Sequence, residues 1–263
     1  MADLSGPVRF RARGFAPRSV PLAGAATLIG IVLLWQAAAS AGWIDTRFLP
    51  PPVAIVRALW ALVVSGELWL HLGASLQRLA IGWSVGTVCG IALGFAVGLS
   101  SLARSPGMAV VSALFPIPKI ALVPLFIIWF GIGEGSKVAT LGFGVFFPTV
   151  INVAAGIDAL PRGLIRMGQS FGLSRGAILR KIVLPGALPA ILSSFRVTTS
   201  IAIILLVAAE MIGAERGIGA FVLQAGNLYD TDNLLAGIVV LSALGLTVAW
   251  VLGRLERRLL RWR

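Results

Sequence analysis

The sequence is poor in the groups that active-site chemistry uses. Its 263 residues include one histidine, one cysteine, one tyrosine and ten acidic side chains. A metal site or an activated nucleophile needs several such groups close together. His71, Cys89 and scattered carboxylates supply no such cluster, so neither a metal site nor a catalytic residue is expected. A lone cysteine forms no intrachain disulfide, and Cys89, inside an apolar run, reads as a buried, inert thiol. There is no GxxxxGK[ST] phosphate loop; GIGEGSK at 131–137 has a similar look but the wrong spacing. Repeats of solenoid period and low-complexity linkers are missing too. Charge is also scarce, at 12% of residues against about 25% in an ordinary soluble domain.

Apolar residues fill the space left by these absences. They make up 58% of the chain, and the mean hydropathy is +0.95. No soluble domain of this size needs so much apolar surface inside, so several runs must face lipid. Six stretches are long enough to span a bilayer, at about 20–41, 80–100, 112–132, 137–157, 190–213 and 233–253. The expected fold class is therefore an all-α polytopic membrane protein with about six transmembrane helices. It has a basic N-terminal segment at 1–19 and one membrane domain over 20–263. The first run follows a basic start, is long enough to span, and reads as a retained helix rather than a cleaved signal.

The net charge of +12 would suit nucleic acid on a polar domain. Here the Lys and Arg residues sit between apolar runs, the pattern of membrane-orientation charges, so no nucleic-acid partner is expected. Sixteen of them fall on one side of the six-span arrangement: near the N-terminus, at Arg104, in 158–196 and from Arg254 onward. Five fall on the other: Arg47, Arg57, Arg78, Lys137 and Arg216. Positive charge marks the cytoplasm, so both termini are expected there. The external stretch 42–79 then reads as an interfacial helix pair carrying Trp60 and Trp69, with His71 an interface residue rather than a ligand.

The longest inner loop covers 158–189 and reads DALPRGLIRMGQSFGLSRGAILRKIVLPGALP from Asp158. Asp158 can cap a first helix, with Pro161 in its first turn and Gly172 at its end. Ser174 can cap a second helix ending at Leu184, before Pro185. The small residues Gly168, Ser170, Gly172 and Ser174 suit close approach to a partner's groove. A plain amphipathic connector with a solvated basic face fits the same residues.

The spacing from Gly172 through nine residues to Ile182, then Val183, Leu184 and Pro185, resembles the cytoplasmic loop of ABC importer permeases. That loop reads Glu-Ala-Ala, three residues, Gly, nine residues, Ile, one residue, Leu-Pro. Here Arg166, Met167 and Gly168 stand in place of Glu-Ala-Ala. The stretches SGELWLHLGASLQR, PIPKIALVPLFIIWFGIGEGSK, FFPTVIN, SFGLSR, KIVLPGALP, LVAAEMIGA, GIG and LERRLLRWR extend the resemblance over about 45–263, to the permeases for aliphatic sulfonates, taurine and nitrate. The resemblance implies a type I ABC importer permease fold in the bacterial inner membrane. It implies a homodimer with a second permease copy, two ABC ATPase subunits, and a periplasmic or lipid-anchored binding protein. ATP and Mg2+ would be bound by the ATPase, with no cofactor in this chain. ATPase coupling would fall to Met167, Gly168, Ser170, Phe171, Gly172, Leu173, Ser174, Ile182, Leu184 and Pro185.

Within the spans, Pro116, Pro118 and Pro124 can kink a pathway helix, or the first two can precede it at the inner surface. In the first case Lys119 attracts an anionic substrate; in the second it is a snorkelling interfacial charge. Glu210 is the acid deepest in an apolar run and a default candidate for a pathway or gate role; it could equally pair with a basic residue across the bundle or sit near the outer surface. Trp129, Asn152 and Thr199 complete the candidate pathway set, although polar groups such as the last two also serve as hydrogen-bonding links between helices. Gly86, Gly90, Gly94 and Gly98 fall on one helix face and suit close packing. The expected function is the transmembrane subunit of an ATP-driven importer working by alternating access on a small anionic solute. A stand-alone secondary transporter or channel is the alternative, but the inverted repeats or paired broken helices with charged centres expected of one are not evident.

Overall fold

A computed structural model describes residues 21–260. The basic segment at 1–19 and the final arginines Arg261 and Arg263 lie outside the described residues. Those residues are almost wholly helical and contain no strand. Five helices are long and apolar enough to cross a membrane, or six when one bent pair is counted as a single span.

The chain divides into two compact units, the first ending at Ile55. The first holds α1 (Pro21–Ser40) and the opening residues of α2 (Pro52–Ser65). Between them Asp45 Oδ1 accepts the Arg47 N–H at 2.9 Å and Gln36 Oε1 accepts the Val53 N–H at 3.2 Å, so the Pro-rich turn is tied to the end of α1.

The second unit runs from Val56. It holds α3 (Glu67–Leu99), α4 (Ser101–Leu114), α5 (Val123–Phe130, preceded by a 3-10 turn over Lys119–Leu122), α6 (Glu134–Asp158), α7 (Arg162–Ser170), α8 (Arg175–Ile178), α9 (Leu184–Met211), α10 (Ile218–Asn227) and α11 (Thr231–Leu259). The interfacial pair expected before residue 80 is not a pair. After the left-handed Gly66 (φ 84°) the chain enters α3 at Glu67 and meets no proline before Leu99, so nothing separates that segment from the span. Cys89, expected to be buried, is exposed on α3.

The expected third span differs most. Residues 101–114 already form a helix, capped by Ser100, whose hydroxyl accepts the Ala103 N–H. A bend of 89° separates it from the turn and helix over Lys119–Phe130. Pro116 and Pro118 are therefore the break within a span rather than its start: two nearby residues lack N–H donors, and their rings exclude the helical approach of the preceding turn. The second inner helix does not end at Leu184. A five-residue π-helical stretch, Leu179–Val183, carries α8 into α9 through Pro185 and Pro189. The wider π turn accommodates the proline that would otherwise strike the carbonyl four residues back.

The core is the seam of α3, α6 and α9. Glycine recurs every four residues on α3 from Gly82 to Gly98. A Cβ at Gly86 would collide with the backbone of Gly142 on α6. At Gly90 it would lie 2.7 Å from Thr149 Cβ, and at Gly98 2.6 Å from Ile157 Cδ1. Leu79, Leu141, Val145, Ala202, Leu205, Leu206 and Ala209 fill one part of the seam, and Val153, Ile157, Val183, Ala187 and Ile191 another. Gly86→Ala is expected to destabilise the fold by about 1–3 kcal/mol through overpacking. Gly73→Ala, with nothing within 4 Å of the added carbon, is expected to be neutral or slightly stabilising. Thermal melting of the two variants in detergent checks the contrast.

Candidate functional site

Three places carry the chemistry: the helical loop of α7 and α8, the break in the third span, and a cluster of charges joining the N-terminal part of α3, the start of α6 and the end of α9.

The α7–α8 loop is built by its caps. α7 ends in a Schellman turn: Leu173 N–H donates to Gly168 O at 3.0 Å and Gly172 N–H to Gln169 O at 2.9 Å, with Gly172 at φ 68°. Ser174 then caps α8 through its hydroxyl, which accepts the Ala177 N–H at 3.3 Å. Asp158 does not cap α7. It is the last residue of α6, and its carboxylate takes both arms of Arg104 at 2.6 and 2.8 Å, tying the ends of α4 and α6; Pro161 precedes α7 with no side-chain cap. Gly168 faces inward, where a Cβ would come within 2.8 Å of Ile182 Cδ1. Its smallness thus serves the loop's own packing. Ser170 bonds back to Arg166 O at 3.1 Å. Leu164, Met167 and Phe171, spaced three and four residues apart on one face, are exposed, Phe171 to 77%. Leu184 is also exposed, and Pro185 is half-buried at the start of α9.

Lys119 stands at the break. Its ammonium donates to the Phe115 carbonyl, freed where α4 stops, and lies 5.0 Å from the Phe115 ring centroid and 5.5 Å from that of Phe147. Phe147 is near the midpoint of α6, a helix about 37 Å long. Lys119 thus lies beside the middle of α6 rather than at either end of that helix. Trp129 is exposed on α5, its ring T-shaped to that of Phe126 with centroids 6.0 Å apart. Asn152 is half-buried on α6 and Thr199 is buried on α9. The neighbouring Thr198 hydroxyl accepts from Trp83 Nε1 at 3.1 Å, a direct link between α3 and α9.

Glu210 sits apart from these, in a closed cluster, and is 1% exposed. Arg78 Nη1 reaches Glu210 Oε1 at 2.8 Å and the Arg216 carbonyl at 2.5 Å. The other edge of the same guanidinium grips both oxygens of Glu134 at 2.6 Å. The Ser75 hydroxyl lies 2.8 and 3.0 Å from the two Glu210 oxygens and accepts the Ile218 N–H at 2.9 Å. Gly219 N–H donates to Glu210 Oε2 at 2.8 Å. Gly217, at φ 136°, passes so close that a Cβ would collide with the Glu210 carboxylate, and its N–H donates to His71 Nδ1 at 3.1 Å. His71 is therefore a structural partner of the loop before α10. Lys137, 5% exposed, donates to Gly133 O at 3.0 Å. A cleft of about 530 Å³ opens beside the cluster, lined among others by Gln77, Arg78, Glu134, Lys137, Glu215 and Arg216.

Sequence reasoning found Glu210 but missed Arg78, Glu134 and Ser75. The available signal was an arginine in the fourth turn of an apolar helix, which requires a partner wherever it is buried. No cluster of His, Cys, Asp or Glu able to hold a metal occurs among the described residues.

The family described as "Binding-protein-dependent transport system inner membrane component" matches residues 86–261. The chain is similar to SsuC of Escherichia coli (strain K12), named as a putative aliphatic sulfonates transport permease protein, at 40% identity over 89% of each chain. It is 36% identical to the taurine transport system permease TauC of the same strain, over 90% of this chain and 88% of that one. Its fold matches a chain of the MetNI methionine ABC transporter in an inward-facing conformation, with TM-score 0.61 and 23% identity, covering 80% of this chain and 98% of the other.

Arg78→Gln leaves the buried Glu210 carboxylate without its counter-charge and is expected to cost about 3–5 kcal/mol. Glu134→Gln, at a side chain 63% exposed, is expected to cost about 0–1 kcal/mol. Melting temperatures of the purified variants test the ratio.

Proposed function

The chain belongs to the family of binding-protein-dependent transport system inner membrane components, the permease subunits of ABC importers, and on that premise we propose how its parts divide the work of moving a solute. It is a multi-pass inner-membrane protein with the type I importer permease fold and is not an enzyme, since in this family the ATPase is a separate subunit. Its partners are that ATPase and a solute-binding protein.

The α7–α8 loop is the ATPase contact. The observation that carries this reading is the exposed apolar row Leu164, Met167 and Phe171 on a short helix held rigid by the Schellman turn at Gly172 and the cap at Ser174. A rigid apolar ridge fits a partner's groove and loses little entropy on docking. Both termini then lie on the cytoplasmic side with this loop, as the excess of basic residues there requires. ATP and Mg2+ bind the partner ATPase. Two permease copies assemble as a homodimer with two ATPases.

The solute is a small anion of the sulfonate, taurine or nitrate kind. Similarity to SsuC and TauC supports this, and so does Lys119, a cation beside the middle of α6 with no carboxylate within ion-pair distance among the described residues. Its contacts with a carbonyl and two ring faces leave N–H capacity for a passing anion. Asn152 and Thr199 add polar lining. ATP-driven closure of the paired loops swings the spans between outward and inward access.

Two measurements test the reading, both in proteoliposomes holding the permease, its ATPase and its binding protein. Gly172→Val forces a β-branched residue into a left-handed backbone, a strain of about 1–2 kcal/mol. It is expected to lower transport-coupled ATPase activity, while unchanged coupling would sink the docking role. Lys119→Met is expected to reduce taurine or ethanesulfonate uptake about tenfold or more with ATPase association intact, and Lys119→Arg to retain more of it. Equal uptake by all three proteins would remove Lys119 from the pathway.

A further inference from the structure

The end of α11 combines features found nowhere else among the described residues. The helix has 29 residues, about 43 Å at 1.5 Å per residue, against a hydrocarbon core of about 30 Å. Its final turns therefore reach the headgroup layer.

Two faces of those turns have different fates. On one, Glu256 pairs with Arg196 of α9 at 2.5 Å, and Gly253 lies against the same guanidinium, 3.7 Å from the place its Cβ would occupy. This face is engaged within the protein. On the other, Trp250, Arg254 and Arg258 follow at four-residue intervals with Val251 and Leu255 beside them, and the five line a groove of about 260 Å³. Trp250 is 57% exposed. The Arg254 guanidinium carbon lies 4.4 Å from the Trp250 ring centroid. Of the described arginines only Arg254 stacks on a ring in this way. Neither Arg254 nor Arg258 has a carboxylate within ion-pair distance among the described residues, because Glu256, the one acid of this helix end, is taken on the opposite face.

We propose that this groove is a binding site for the headgroup of an anionic phospholipid. Arg254 and Arg258 take the phosphate, and the acyl chain lies along Trp250, Val251 and Leu255. Charge complementarity favours this occupant, since two unpaired guanidiniums carry the planar donor edges that suit phosphate oxygens. Depth favours it too, because tryptophan and basic side chains sit together at the boundary between headgroups and hydrocarbon. Stacking on Trp250 holds the Arg254 plane in place while leaving its N–H edge free for the lipid. Scattered orientation charges have no need of a ring or an apolar groove. The proposal is independent of the solute and of the ATPase contact.

The test is lipid retention by the full permease–ATPase complex. The complex is equilibrated in nanodiscs of mixed phosphatidylglycerol and phosphatidylcholine, and the lipids that stay bound after extraction are counted by native mass spectrometry. The wild-type complex is expected to retain phosphatidylglycerol in preference to phosphatidylcholine. Arg254→Gln/Arg258→Gln is expected to lower retained phosphatidylglycerol about fivefold or more, with retained phosphatidylcholine unchanged. Trp250→Leu should give a smaller loss, and Arg47→Gln none. Should the double variant fail to assemble, Arg258→Gln alone is read the same way, with about twofold loss or more expected. Three results overturn the proposal: no preference in the wild type, undiminished phosphatidylglycerol in the arginine variants, or equal loss of both lipids. Loss of the ATPase from the arginine variants with phosphatidylglycerol still bound also overturns it, and assigns the patch to the partner protein.

Discussion

The close approach of α3 to α6 is the constraint on which the rest of the structure depends. Between helices in lipid there is little hydrophobic driving force, so association relies on contact and on the small residues that permit it. Gly86 meets the backbone of Gly142, and the glycines on either side of it let the two helices run together along most of their length. α6 repeats the device toward its other neighbour. A Cβ at Gly144 would overlap Leu205 of α9, and one at Gly156 would lie 2.5 Å from Ala190 Cβ. One helix is thus fitted to two others through glycines that face in different directions, and its middle is almost wholly buried. The polar cluster of Arg78, Glu210 and Glu134 fastens the same three helices at one end.

Motion has to come from elsewhere, and proline marks the places. Pro116 and Pro118 interrupt the third span and free the carbonyl that Lys119 occupies. The prolines after the α7–α8 loop have the opposite effect. The π stretch at Leu179–Val183 absorbs Pro185, so α8 and α9 form one continuous helix from Arg175 to Met211. A loop joined to its span by a hinge would dissipate a push from a docked partner. One joined by unbroken helix passes the push into the buried Ala187 and Ile191 contacts with α6. Residue type alone does not separate the two cases. What differs is whether the surrounding turn can widen around the ring.

That distinction shows which features were legible in the sequence. Apolar length located the long apolar helices, because an uninterrupted run of about 20 apolar residues matches the hydrocarbon thickness and exceeds what a soluble core helix buries. Capping chemistry placed the Gly172 turn and the Ser174 cap, because these are local. Long-range pairing was not legible: Arg78 lies 56 residues from Glu134 and 132 from Glu210, and nothing local marks them as partners. Asp158 shows how a local rule can fail, since it is suited to a cap, yet an arginine 54 residues away holds its carboxylate. Gly168 shows the right residue read for the wrong reason. Its missing side chain makes room for Ile182 rather than for a partner.

The cations of this chain can be sorted by what neutralises them, and that order follows their roles. Arg78 is buried and paired on two edges, so its charge is used in holding helices together; loss of the buried Glu210 carboxylate would take away the fully buried half of that pairing, whereas Glu134 is largely exposed. Lys119 lies deep but is held by a carbonyl and ring faces, groups that stabilise an ammonium without cancelling its charge. It therefore keeps a field that an anion can feel, in the one described span that is broken at a sharp bend. Arg254 follows the same logic at the surface, supported by a ring and unpaired with acid. In a protein with ten carboxylates and twenty-two basic side chains, acids are the limiting partner. Where the fold assigns them, to Arg78, Arg104 and Arg196, it builds structure. Where it withholds them, at Lys119 and Arg254, the positive charge is held by ring faces and is not cancelled.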